Sequence, residues 1–218
     1  MSRRRPVSAG REALALYARE PLGVRVHVHG RWWSAPFAPA AAALPPTGRI
    51  LEIGCGHGLF AAYCALSEPG RTVVGVDIDA AKIRHAQAAA IEGRLSFAVG
   101  ASGEVPAGPW DAVAIVDMLY LLPASEQRRL LAAAARTLAP GGILVIKEMG
   151  TRPRWKVRWN TWQETVSVRV LRITAGSSLE FVPPAVMAGW LGELGLTTTA
   201  RRLDRGRMHP HHLLVARR

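Results

Sequence analysis

The stretch Ile50-Leu51-Glu52-Ile53-Gly54-Cys55-Gly56-His57-Gly58-Leu59-Phe60 decides how the rest of the chain is read. Arg49–Ile53 is a short apolar run of strand length, and a helical pattern over Leu59–Leu66 follows it. Between them stand three glycines at alternate positions. Glycines at a strand-to-helix turn let the backbone fold back sharply and approach a ligand with no Cβ in the way. The spacing is G-x-G-x-G, not the G-x-G-x-x-G of dinucleotide enzymes. Nineteen residues after Gly58, Asp77 closes the next strand-like run, Thr72–Asp77. A carboxylate there can accept hydrogen bonds from two ribose hydroxyls.

The rhythm continues outward from this loop. Ala80–Ile91 reads as a helix, Leu95–Val99 as a strand, and Trp110–Asp117 as a strand with Ala112, Val113, Ile115 and Val116 apolar on both faces. Ala124–Leu138 reads as a helix stopped by Pro140-Gly141-Gly142, and Ile143–Lys147 as a fifth strand. Such alternation predicts an α/β, doubly wound, mainly parallel sheet with helices on both faces. Pro183–Leu194 reads as a further helix, and Thr197–Leu203 and His211–Ala216 as strands close enough in sequence to pair antiparallel. The sheet expected is therefore seven-stranded with an antiparallel terminal strand. Upstream, the Ala/Pro stretch Ala38–Pro46 reads as a linker. The expected organisation is an N-terminal extension or cap over residues 1–47 and a main α/β domain over 48–218. A basic, Trp-bearing insertion interrupts that domain at about 150–182.

A chain of 218 residues with a hydrophobic fraction of 49% makes one globular domain with an extension and excludes a disordered tail protein. No apolar run reaches the roughly 18 residues of a membrane-spanning helix. Arg3-Arg4-Arg5 is not followed by an apolar signal core, and two cysteines build neither a disulfide framework nor a zinc site. The expectation is a soluble, cytoplasmic protein. The net charge of +12 is uneven: +5 over residues 1–48, −1 over 49–145 and +8 over 146–218. The excess lies wholly in the flanks. It fits a surface that meets phosphate, nucleic acid or an acidic membrane, and fits equally an Arg-rich composition with no partner.

Taken together, these motifs resemble the class I S-adenosylmethionine-dependent methyltransferases over about residues 48–148 and the terminal hairpin. Glu52 to Gly58 is similar to the first motif of that family, an acidic residue followed by three glycines. Val74-Gly75-Val76-Asp77-Ile78-Asp79 is similar to the second, which makes Asp77 the ribose-holding residue. Trp110 to Asp117 resembles the fourth strand, whose end faces the methionine part of the cofactor, and Leu138-Ala139-Pro140-Gly141-Gly142 resembles the turn before the fifth. Many relatives carry an Asp after the third strand that contacts adenine. Here Val99-Gly100-Ala101-Ser102 stands in its place, which transfers the adenine contact to the backbone and Ser102. The resemblance thus implies S-adenosyl-L-methionine as cofactor, with S-adenosyl-L-homocysteine as product. It implies a binding set of Glu52, Gly54, Gly56, Gly58, Asp77, Ile78, Ala101, Ser102 and Asp117.

Methyl transfer from an activated sulfonium is mainly a matter of alignment. A hydroxyl acceptor of high pKa also needs a base. The candidates are His209, His211, Glu148 and Tyr120, with His57 in the glycine loop; the family's strand order puts His209 and His211 on the active face. His27 and His29 alternate in a way that places both on one face of a strand, but nothing gathers them with His209 and His211, and no metal is expected. In 150–182, Trp155, Trp159, Trp162 and Val166 keep helical spacing among Arg152, Arg154, Lys156 and Arg158. That pattern suits contact with an anionic membrane, a lid on an apolar pocket, stacking on bases, or plain core packing. Trp32, Trp33 and Phe37 add aromatic surface upstream. Asp117-Met118-Leu119-Tyr120 lacks the Pro-Pro of base-amine methylating relatives, and no cysteine stands where base-carbon methylation needs one. The acceptor expected is a small molecule or lipid-like compound. An RNA methyltransferase and a non-catalytic cofactor-binding protein are the alternatives.

Overall fold

The computed structural model describes residues 6–149, 180–203 and 211–218. Three helices lead, α1 (Pro6–Ala15), α2 (Leu22–Ser34) and α3 (Phe37–Ala43). Then come β1 (Thr47–Ile53), α4 (Leu59–Ser67), β2 (Gly70–Asp77), α5 (Ala80–Ala86), β3 (Leu95–Val99), β4 (Trp110–Val116), α6 (Ala124–Arg136) and β5 (Leu138–Met149). The chain closes with α7 (Pro184–Glu193), β6 (Thr197–Arg202) and β7 (His211–Arg217).

The seven strands form one sheet in the order β3-β2-β1-β4-β5-β7-β6. Pairing is parallel from β3 to β5, and β7 runs antiparallel to both β5 and β6. Alternate residues of the central strands feed two apolar layers. Ile50, Ala112, Ala114, Ile143 and Val145 pack with α1 to α5, while Leu51, Val113, Ile115, Leu144 and Ile146 pack with α6 and α7. This period-two division is why the strands are apolar on both faces. β1 pairs with β2 on one side and β4 on the other, so the connection order reverses beside it. In open parallel sheets the ligand crevice lies outside the C-terminal strand ends at such a reversal, which here falls between β1 and β4.

Five local readings are corrected. Ala38–Pro46 is not a linker: most of it belongs to α3, whose Phe37, Ala40 and Ala41 are buried. Alanine is the best helix former and its small side chain lets the helix approach the core, so an Ala-rich run between prolines folds once it has an apolar surface to cover. His27 and His29 lie on α2, not on a strand, so residues two apart point away from each other. The helix expected over Ala80–Ile91 is shorter, ending at Ala86 and followed by a 3-10 turn over Gln87–Ala89. Likewise α6 ends at Arg136. Pro140-Gly141-Gly142 is a bulged start to β5, with Trp110 paired to Leu138 and Ala112 already to Ile143.

α1 to α3 share the core cluster of the sheet through Ala9, Ala13, Val28 and Phe37. No described helix is long and apolar enough to cross a membrane.

Candidate functional site

β1 delivers the glycine loop to the crevice. Gly54, Gly56 and Gly58 all have positive φ, of 74°, 54° and 79°. The reasons for glycine differ along the loop. A Cβ on Gly58 would sit 2.4 Å from the Phe97 ring and one on Gly54 2.5 Å from Met118 Cγ, whereas one on Gly56 would meet nothing within 4 Å. Gly54 and Gly58 are therefore packed, and Gly56 faces open space over which a ligand can lie close to the backbone.

Asp77, at the end of β2, holds this loop from the side. Its Oδ2 accepts the Gly56 N–H at 2.7 Å and its Oδ1 accepts the Asp79 N–H at 2.9 Å. An ionised carboxylate has about four acceptor positions, so capacity remains for hydroxyl donors. Ile78 follows with 62% of its surface exposed, an apolar side chain beside the carboxylate. Ala101 and Ser102 lie exposed in the loop after β3, and Gly100 N–H donates to Asp77 O at 2.9 Å, which ties that loop to the same edge.

Glu52 lies beneath the loop, 3% exposed, with Oε2 lacking a hydrogen-bond partner among the described residues. Burial pushes its carboxyl up to about 8, despite a backbone hydrogen bond from Ala61. Tyr17 donates its hydroxyl to the His57 carbonyl at 2.6 Å, pinning the loop from the N-terminal helices. The His57 ring is sandwiched between His27, with centroids 4.7 Å apart, and His85, stacked at 5.9 Å. His85 in turn meets Glu20 at 2.5 Å.

The end of β4 carries the densest charge. Asp117 is the one described non-glycine residue with positive φ, at 52°. Its buried Oδ2 accepts from Lys147 and, at 2.9 Å, from Arg31 Nη2. These cations hold the carboxyl well below the usual carboxylate range in spite of burial. Asp117 Oδ1 has no hydrogen-bond partner among the described residues, and His211 Nδ1 lies 3.8 Å from it. That leaves a buried acceptor at the C-terminal end of β4. Lys147 is wholly buried, and desolvation pulls its ammonium down to about 8 against the attraction of Asp117.

Lys147 and Glu148 are neighbours on β5 and so point to opposite faces. Glu148 Oε1 accepts the N–H groups of Met118 and Leu119, both at 2.8 Å, and braces the turn after β4. Tyr120 is buried and stacks on Phe181 at 5.4 Å. His211, 4% exposed, opens β7 opposite Met149. His209 and the Trp-bearing insertion lie outside the described residues. No group of three or more metal-ligating side chains occurs among the described residues.

The structure thus brings Glu52, the glycine loop, Asp77, Ile78, Asp117 and His211 to one edge of the sheet. Sequence reasoning missed Tyr17 and Arg31. Both come from the extension, 40 and 86 residues from their partners, and no local spacing announces them.

Residues 27–199 match the model of a family described as a methyltransferase domain. The chain is 27% identical over 185 residues to a ubiquinone biosynthesis O-methyltransferase of Xanthomonas axonopodis, covering 76% of this chain and 75% of that one. It is 26% identical over 168 residues to a fatty-acid O-methyltransferase of Mycolicibacterium smegmatis, covering 67% of this chain and 59% of that one. Among solved structures it is similar to the magnesium protoporphyrin IX methyltransferase of Synechocystis with bound S-adenosylhomocysteine. There the TM-score is 0.65 and identity 17%, over 89% of this chain and 84% of that one.

Proposed function

The chain belongs to the S-adenosylmethionine-dependent methyltransferases of Rossmann-like fold, and from that premise we propose that it methylates a small-molecule or lipid-like acceptor. The observation that carries the reading is the glycine loop clamped to the Asp77 carboxylate beside the open face of Gly56. Support for the acceptor class comes from relatives named for ubiquinone biosynthesis and fatty acids.

When bound, the cofactor supplies an electrophilic methyl group on sulfonium. The residues fit it. Gly54, Gly56 and Gly58 would let backbone N–H groups approach it, Asp77 would accept its ribose hydroxyls, and Ile78 would pack on the adenine. Ala101 and Ser102 would border the ring, and Asp117 Oδ1 would accept from the ammonium end. Glu52 Oε2 and Asp117 Oδ1, buried without a hydrogen-bond partner among the described residues, are acceptors that a cationic amino acid moiety would satisfy. Arg31 and Lys147 hold Asp117 ionised and in place. Tyr17 and His57 keep the loop shaped, and in this reading residues 1–47 act as a cap on a domain running over 48–218.

His211, next to Asp117, is the described side chain best situated to take a proton from an acceptor hydroxyl. Glu148 and Tyr120 are occupied as a brace and a stacking partner, so they position the site and do not reach an acceptor. His209 stays a candidate from its sequence neighbourhood alone.

The test is transfer of a labelled methyl group from S-adenosylmethionine to a panel of apolar phenols, long-chain carboxylic acids and bulk tRNA. Labelling of an apolar acceptor is the expected result. Labelling of RNA alone overturns the acceptor class, and no labelling by a protein that binds the cofactor favours a non-catalytic role.

A further inference from the structure

The amphipathic character of α2 is doubled. Its inner side is engaged: Val28 is 1% exposed, Trp32 meets Tyr63 edge-on at 5.1 Å, and Arg31 bonds Asp117. At 100° per residue, Leu22, Val26, His29 and Trp33 fall within about 60° of one another on the opposite side. Three of these are apolar and lie in solvent, with Leu22 72%, Val26 64% and Trp33 81% exposed. Such an aligned stripe is unlike the scattered apolar residues of an ordinary surface.

Its charge surroundings are one-sided. Arg25 on the flank of the stripe and Arg19 in the turn before it are exposed. No Asp or Glu occurs from residue 21 to 51, and Glu20 is taken up by His85. An apolar ridge edged by guanidinium groups, with an indole near its end, complements the boundary between anionic headgroups and acyl chains.

We propose that the outer face of α2 docks the protein on an anionic lipid surface, with Leu22, Val26 and Trp33 inserted and Arg19 and Arg25 among the headgroups. The helix then lies flat on the bilayer while its inner face touches the Asp117 end of the crevice. This inference concerns a surface outside the cofactor site and stands whether or not the acceptor is a lipid.

The experiment is sedimentation of the full chain, without cofactor, with vesicles of phosphatidylcholine alone or mixed with a quarter phosphatidylglycerol. The variants are Trp33→Ser, the triple Leu22→Ser/Val26→Ser/Trp33→Ser, and Arg19→Gln/Arg25→Gln. The wild type is expected to bind the anionic vesicles and to be weakened by added salt. The triple variant should lose at least about tenfold in partitioning, and the Arg pair about fivefold per charge. All variants should retain the wild-type circular dichroism spectrum and S-adenosylhomocysteine affinity. Absence of wild-type binding to anionic vesicles overturns the proposal. So does a triple variant that binds like wild type. A wild-type dimer that the triple variant disperses, with no vesicle binding, assigns the face to a second copy instead.

Discussion

Arg71 sits at the start of β2, far from the glycine loop, and is 3% exposed. Its Nε donates to Pro45 O at 2.8 Å, Nη1 to Cys64 O at 3.3 Å and Ser67 Oγ at 3.2 Å, and Nη2 to Ala41 O at 2.9 Å and Leu44 O at 3.2 Å. One guanidinium thus ties the ends of α3 and α4 to the sheet, adding to the bonds that Ala41 O accepts from Leu44 N–H and Cys64 O from Ser67 Oγ, and reaching the Leu44 and Pro45 carbonyls beyond α3. Hydrogen bonds to a charged donor contribute about 1.5–3 kcal/mol each, so five would suggest on the order of 10 kcal/mol. The guanidinium's own desolvation offsets several of these. Arg71→Met should therefore destabilise by about 3–5 kcal/mol, from the lost charged hydrogen bonds and the stranding of the Leu44 and Pro45 carbonyls. For a chain of this size that lowers Tm by roughly 10 °C. Arg71→Lys should fall almost as far, since an ammonium cannot match the planar fork. Thermal and urea unfolding measure the loss. S-adenosylhomocysteine affinity below Tm should stay at the wild-type value, because Asp77 lies at the other end of the strand. A Tm within about 2 °C of wild type would refute the argument that this clasp holds α3 and α4 to the sheet.

Other outcomes follow from the site. Lys147→Met should destabilise by about 3–5 kcal/mol by leaving Asp117 buried without its ammonium, and the double variant with Asp117→Asn should recover much of that; a double-mutant cycle in urea reads the coupling. Gly58→Ala should abolish cofactor binding or folding through the Phe97 ring, while Gly56→Ala should cost only about 1 kcal/mol of backbone strain in stability. Comparing Tm with cofactor affinity in the two variants separates packing from approach. Burial holds the Glu52 carboxyl up at about 8, above its ordinary value near 4.5. The folded state therefore keeps a proton that the unfolded chain releases, and stability falls as pH rises from about 4.5 through 8. Burial pushes the Glu148 carboxyl up to about 8 as well, so Glu52→Gln should reduce but not abolish the slope of Tm against pH in that range, and an unchanged slope would remove Glu52 as one of its sources.

The parallel sheet was readable because its strands are apolar on both faces and its turns carry glycine at fixed phase, both of which are local signals. The glycine-loop edge was readable for the same reason: Gly54 to Gly58 and Asp77 lie at strand ends. The N-terminal segment was not, because alanine and proline are as common in linkers as in short helices, and only the apolar surface of α4 and the sheet decides for α3. Arg31 was hidden by distance along the chain. Asp117 was visible as a strand-end carboxylate, but its burial between Lys147 and Arg31 depends on how three separate elements meet. The bulge at Pro140-Gly141-Gly142 looks like a helix stop in one dimension and becomes part of β5 only through its pairing with β4.

The most direct test of the account is calorimetric titration of the wild type and Asp77→Ala with S-adenosylmethionine and S-adenosylhomocysteine. Micromolar binding by the wild type that is lost in a folded Asp77→Ala variant is the predicted result. A folded wild type that binds neither compound, or an Asp77→Ala variant that binds as tightly as wild type, would contradict the assignment of this crevice to the cofactor.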